Sequence, residues 1–198
     1  MRGRCTDIGH IWKVKILELK QIVKFNMCEM EYKGGLVKSE SPFILLEDEY
    51  YEQYKALIDD CFYEMRKALD VRPYEKHSDS LEHPEKLKEN TFILLSGEEI
   101  ICAVTCSENY IGKMAVSQRY RRQGYGRKAL EFALSYMQKR GDFPIALTVA
   151  KWNKNAIAMY ESTGLVITKE STVAGVNVKK SEDIWTFEFT ATDDINLR

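Results

Sequence analysis

Residues 119–128 read Arg-Tyr-Arg-Arg-Gln-Gly-Tyr-Gly-Arg-Lys, with the basic side chains of Arg119, Arg121, Arg122, Arg127 and Lys128 grouped around Gly124 and Gly126. Glycine admits unusual backbone angles and close approach of a ligand. At the mouth of a helix, successive amides then point into one concavity, where the helix dipole also favours negative charge. Guanidinium and ammonium groups can reach outlying phosphates. This is the chemistry of holding an anion with several phosphates. The plain alternative is a solvated basic loop that happens to contain glycine.

Three phosphate-binding patterns compete for this stretch. A P-loop needs Gly-x-x-x-x-Gly-Lys followed by Ser or Thr, and none occurs. Residues 124–129, GYGRKA, match the dinucleotide fingerprint, whose first glycine directly follows a strand and whose acid ends the next one. Here the seven residues SQRYRRQ intervene, and Asp142 precedes the next expected strand. The third pattern, Arg/Gln-x-x-Gly-x-Gly/Ala, runs from Arg121 to Gly126 without such conflict.

The elements that must position this turn follow from periodicity. Asp48 is expected to cap a helix burying Tyr51, Tyr54, Ile58, Cys61, Phe62, Met65 and Leu69. Residues 70–90 read as a polar loop with a short helix near its end. TFILLS (91–96), IICAVTC (100–106) and YIGKMAV (110–116) predict three antiparallel strands joined by tight turns. A helix over Gly126–Arg140 buries Ala129, Leu130, Ala133, Leu134 and Met137, and Gly141 ends it. IALTVA (145–150) is a strand, NKNAIAMYEST (153–163) a helix stopped by Gly164. LVITKE (165–170) and IWTFEF (184–189) are strands joined by a loop containing Gly175. A strand is also expected near Glu31–Val37, interrupted by Gly34-Gly35. Residues 8–25 fit a helix or a strand equally. The expected organisation is an N-terminal extension over 1–26, one domain over 27–190 and a tail over 191–198.

Composition bounds the rest. The 198 residues carry 44% hydrophobic and 30% charged residues, ordinary for a globular chain. Twenty-nine Lys and Arg against 30 Asp and Glu give a net charge of −1, so the basic character is local and nucleic acid is not an expected partner. No apolar run approaches the roughly 20 residues of a membrane span, and residues 1–25 lack a signal-type apolar core. No membrane partner is expected, and a cytoplasmic location is the default. Cys5, Cys28, Cys61, Cys102 and Cys106 form no Cys-x-x-Cys, so buried reduced thiols are expected, with no metal.

The Arg121–Gly126 turn, together with Asn153, Ala156, Tyr160 and Gly164-Leu165 in the stretch LTVAKWNKNAIAMYESTGL, resembles the GNAT superfamily of acetyl-CoA-dependent N-acetyltransferases. The resemblance covers about residues 91–170. It departs mildly where Leu165 stands for the family's Phe. It implies an α/β (α+β) GNAT fold: a central, mostly antiparallel mixed sheet flanked by about four helices, with strands 110–116 and 145–150 splayed apart. It further implies that pantetheine lies along the backbone of Met114, Ala115 and Val116. The pyrophosphate would sit on the amides of Arg122, Gln123, Gly124, Tyr125 and Gly126, with Arg121 opening the motif and Arg127 in reach of phosphate. Asn153 would contact the pantetheine arm and Tyr160 would donate to the leaving thiolate. Read from the helix alone, Tyr160 fits a core position beside Ile157.

The partners so implied are acetyl-CoA as co-substrate and an amine acceptor; a homodimer is compatible with the resemblance. Glu108, Tyr110, His77 and His83 are open candidates for a base. Arg72, Tyr74, His77, Asp79 and Glu82 lie in the loop that, by resemblance, shapes the acceptor site, and they do not define the acceptor. A catalytically idle acyl-CoA-binding sensor or scaffold is the alternative reading, and a dinucleotide-binding protein ranks below it.

Overall fold

The computed structural model describes residues 20–75, 84–179 and 185–190. The expected extension before residue 20, the tail over 191–198, and Asp79, Glu82, His77 and His83 lie outside the described residues.

Eight strands form one sheet in the order β2-β3-β4-β5-β6-β1-β7-β8. They are β1 Lys20–Tyr32, β2 Ile44–Leu45, β3 Thr91–Ser96, β4 Glu99–Ser107, β5 Tyr110–Val116, β6 Ala146–Ala150, β7 Leu165–Lys179 and β8 Trp185–Thr190. Every neighbouring pair is antiparallel except β5–β6. The helices are α1 Tyr51–Ala68, α2 Pro84–Asn90, α3 Tyr125–Arg140 and α4 Lys154–Glu161. The expected mixed, mostly antiparallel sheet with four helices is therefore present.

Strand alternation sends the apolar side chains to two faces. On one face Cys28, Met30, Cys102, Val104, Leu147 and Val149 meet Ala129, Leu130, Ala133, Leu134 and Met137 of α3 and Tyr160 of α4. On the other, Ile93, Ile100, Ala103 and Ala115 meet Tyr54, Leu57 and Ile58 of α1. Burying each such large side chain contributes roughly 1.5–3 kcal/mol. These faces anchor α3 and α1 on opposite sides of β4 and β5.

Four expectations need correction. Asp48 does not cap α1: it lies in a 3-10 turn over Asp48–Tyr50, the N-cap is Tyr50, and the Asp48 carboxylate is taken by Lys88. The strand expected near Glu31–Val37 ends at Tyr32, before the glycine pair. Gly175 is not in a loop but inside β7, opposite Phe189. A Cβ there would lie 2.2 Å from Phe187 Cζ and 2.8 Å from the Glu188 carbonyl oxygen, so glycine serves close packing of β8 rather than a turn.

The fourth correction is the domain boundary at residue 27, which falls inside β1. Lys20–Asn26 pair with Val178–Thr172 of β7, and Val23 is buried. A chain starting at Met27 keeps the pairing of Met27–Glu31 with β6 but loses this half-ladder. It should melt roughly 5–10 °C below a chain starting at Lys20, at about 2–4 °C per kcal/mol for a domain of this size. Differential scanning fluorimetry of the two truncations checks this, and equal melting temperatures would contradict it.

Candidate active site

β5 stays paired with β4 from Tyr110 to Val116 but meets β6 only at Tyr110↔Ala146 and Ile111↔Leu147. Beyond that point β6 remains on β1, as far as Met27↔Ala150. The sheet therefore forks, and the edge of β5 from Gly112 to Val116 faces a gap. The Ser117 N–H donates to Ile101 O at 2.9 Å, which sets the phase of the β4–β5 ladder. By alternation, Ala115 exchanges bonds with Ala103, while Met114 and Val116 turn their main-chain groups into the gap. The Val116 carbonyl there is already engaged, accepting from Arg121 Nε and Cys61 Sγ, each at 3.2 Å.

The basic turn follows at the open end of the fork. Arg122 and Gly124 both take left-handed backbone angles, with φ of 64° and 85°. Glycine meets that at no cost, while a residue with a Cβ is strained. α3 starts at Tyr125 with no side-chain cap on its N-terminus, so its first-turn amides have no intrahelical acceptor. A Cβ on Gly126 would sit 3.3 Å from Met159 Sδ and 3.8 Å from Val116 Cγ2, so this glycine lets α3 close on α4 and the fork.

The basic side chains divide into two groups. Arg119 pairs with Glu99, and Arg121 reaches back to Asp60 at 3.5 Å and Cys61 at 3.4 Å. Arg127 donates to Ser162 and Thr163 at 2.7 and 3.1 Å, tying α3 to the end of α4. Gln123 donates to the Arg119 carbonyl. Arg122 and Lys128 are exposed, Lys128 lying over the Tyr125 ring. Arg121 and Arg127 thus brace the turn, and Arg122 and Lys128 are exposed cations with no carboxylate or hydroxyl partner among the described residues.

Asn153 is the N-cap of α4, its Oδ1 accepting from the Ala156 N–H at 3.1 Å. That use explains the Asn–Ala spacing seen in the sequence and leaves the amide nitrogen to donate. Tyr160, two turns on, is 9% exposed within the core. Burial, with a contribution from nearby Tyr110, pushes its hydroxyl up to about 12. Tyr110 is the first paired residue of the fork, so the buried phenol lies towards the closed end of the gap. Glu108 sits at φ 50° in the turn before β5, on the far side of the paired residues from the gap.

The Acetyltransferase (GNAT) family model matches residues 47–165. The chain belongs to this family. Among curated proteins it is similar to the [ribosomal protein bS18]-alanine N-acetyltransferase of Escherichia coli, 41% identical over 64 residues, which is 32% of this chain and 43% of that protein. It is also similar to human N-alpha-acetyltransferase 30, 30% identical over 87 residues, covering 39% of this chain and 24% of that one. The chain spans less than half the length of these relatives. Among solved structures, an acetyltransferase of the GNAT family from Colwellia psychrerythraea superposes with a TM-score of 0.58 at 15% identity, over 87% of this chain and 57% of that one. At that identity the likeness concerns the fold.

Cys28, Cys102 and Cys106 are buried free thiols, and burial pushes Cys102 and Cys106 up to about 12. At neutral pH Cys102 and Cys106 should each hold roughly three-thousand-fold less thiolate than a free cysteine near 8.5. In the native protein iodoacetamide should therefore label half-buried Cys61 before any of these three. Peptide mass spectrometry on a time course checks the order, and early labelling of Cys102 or Cys106 would contradict the packing. Among the described residues, no group of His, Cys, Asp and Glu side chains could hold a metal ion.

Proposed function

We propose that this chain moves the acetyl group of acetyl-CoA to a primary amine by direct attack in a ternary complex. The observation that carries the reading is the fork. An exposed strand edge leads, through the turn over residues 117–124, to an uncapped helix start beside Arg122 and Lys128, which suits an elongated arm ending in a pyrophosphate. Gly126 lets α3 begin close against Met159 and Val116.

Bound acetyl-CoA supplies an acetyl group activated as a thioester. The main-chain groups of Met114 and the N–H of Val116 hold the arm as an added strand would. Amides of Gly124, Tyr125 and Gly126 take the pyrophosphate, and Arg122 and Lys128 meet the outlying charge. The Asn153 amide nitrogen orients the arm. A main-chain N–H at the fork stabilises charge developing on the carbonyl oxygen. The amine, freed of its proton, forms the new N–C bond as the C–S bond breaks. Tyr160 then donates a hydrogen bond to the departing sulfur. With its hydroxyl at about 12, above the ordinary thiol range near 8.5, the phenol stabilises the thiolate without surrendering its proton outright.

The names of the curated relatives support the α-amino group of a protein or peptide as the acceptor. The test is acetyl-CoA turnover screened over peptide N-termini, free amino acids, small amines and aminoglycosides, reading both free thiol and acetylated product. Peptide N-termini should head the panel. Acetyl-CoA binding without turnover of any amine would favour the idle sensor instead.

A further inference from the structure

The proposed reaction needs a group to take the proton of the incoming ammonium. Of the open candidates, Glu108 lies beyond the closed end of the gap, Tyr110 is paired at that end, and His77 and His83 are not among the described residues. The sheet itself offers another carboxylate. Thr148 is the first residue of β6 past the last β5–β6 pair, and its partner on β1 is Glu29. Adjacent strands lie about 4.8 Å apart, so the Glu29 backbone sits one strand spacing from the point where β6 parts from β5. Its face follows from parity. Cys28 and Met30 on either side are buried in the core against α3 and α4, so Glu29 points to the opposite face. There its side chain is 46% accessible and forms a 3.3 Å ion pair with Lys169, which is itself 65% accessible.

The two faces of the fork have different tasks. The phosphate turn, α3 and Tyr160 lie on one face, so the leaving sulfur is served from that side. We propose that the attacking amine comes from the other face, where Glu29 accepts the proton of the acceptor ammonium as the N–C bond forms and coenzyme A leaves. This assignment rests on the acetyl-transfer reading.

The other charged groups that the strands flanking the fork place on that face are accounted for. Glu31 is opposite Ala146, inside the paired stretch, and is held by Lys33. Lys113, two residues before Ala115, shares the face and is partly buried, with no carboxylate partner among the described residues. Lys169 is the partner of Glu29, and Tyr110 is the remaining titratable group at the closed end. Glu29 is therefore the carboxylate that the register sets just past the fork.

The experiment compares the full chain with Glu29→Gln, Glu29→Asp and Glu31→Gln, using the best peptide of the panel, over pH 6 to about 9.5. Glu29→Gln should lose roughly 100-fold in kcat/KM near pH 6 and roughly tenfold near pH 7, at the low end of or below general-base effects. Its kcat/KM should climb about tenfold per pH unit up to the α-amine's value of about 8 and approach the parent above it, where solvent has already removed the proton. Glu29→Asp should recover part of the loss, and Glu31→Gln should match the parent. All four should show the same acetyl-CoA thermal shift. A loss equal at every pH, or no loss, overturns the role of Glu29 while leaving acetyl transfer intact. A parent chain that acetylates no amine overturns the functional reading, and this assignment with it.

Discussion

Tyr160→Phe should bind acetyl-CoA as the parent chain does and turn it over roughly 10- to 1,000-fold more slowly, the range expected for a lost donor to a developing anion. The substitution removes one hydroxyl and keeps the ring that packs between α4 and the core, so the fold should hold. The loss should fall on kcat and kcat/KM alike, because the hydrogen bond to sulfur strengthens only as the C–S bond breaks. It amounts to about 1.4–4 kcal/mol of transition-state stabilisation. Because burial keeps the hydroxyl protonated up to about 12, the loss should not vary across the neutral pH range. That separates it from the pH-dependent loss expected at Glu29. Stopped-flow or thiol-release assays with a peptide acceptor check it, and parent-like turnover by the folded variant would take Tyr160 out of the mechanism.

Gly126→Glu should abolish acetyl-CoA binding. For the parent, acetyl-CoA at 100 times Kd should add about 2.7 kcal/mol. That is roughly 5–10 °C in melting temperature for a domain of this size. A glutamate in the first turn of α3 is favoured by the helix dipole, so the unliganded helix should remain intact. Its carboxylate, however, fills the space left by the glycine and repels phosphate. Gly126→Ala is the control: its methyl is tight only against the flexible end of Met159, at 3.3 Å, meets Val116 Cγ2 at an ordinary 3.8 Å, and should keep most of the shift. A Gly126→Glu protein that still shifts with acetyl-CoA would remove this turn from the site.

The parts of the molecule legible in sequence are those whose local chemistry is self-contained. β3, β4 and β5 alternate and turn tightly, α3 carries its apolar stripe from Ala129 to Met137, and Asn153 signals the start of α4 by capping it. What escaped detection depends on partners distant in sequence. β1 carries mixed polar and apolar residues that become a strand only between β6 and β7, and it lies outside the span of the family match. Gly175 looks like a turn until Phe187 is laid across it. Within the candidate site, the glycines and Tyr160 could be read from their motifs. The bracing roles of Arg121 and Arg127 could not, since Asp60 and Ser162 are 61 and 35 positions away. Glu29 gave no signal at all, because only the register of β1 against β6 puts it beside the fork.

The central claim is that the forked edge of β5 and the start of α3 together hold acetyl-CoA. Amide hydrogen exchange of the full chain, with and without acetyl-CoA, tests it most directly. Exchange should slow at Met114, Val116 and Gly124–Gly126, stay unchanged in α2, and not respond to NAD. Unchanged exchange along Met114–Val116 at saturating acetyl-CoA, or equal protection by NAD, would contradict the account.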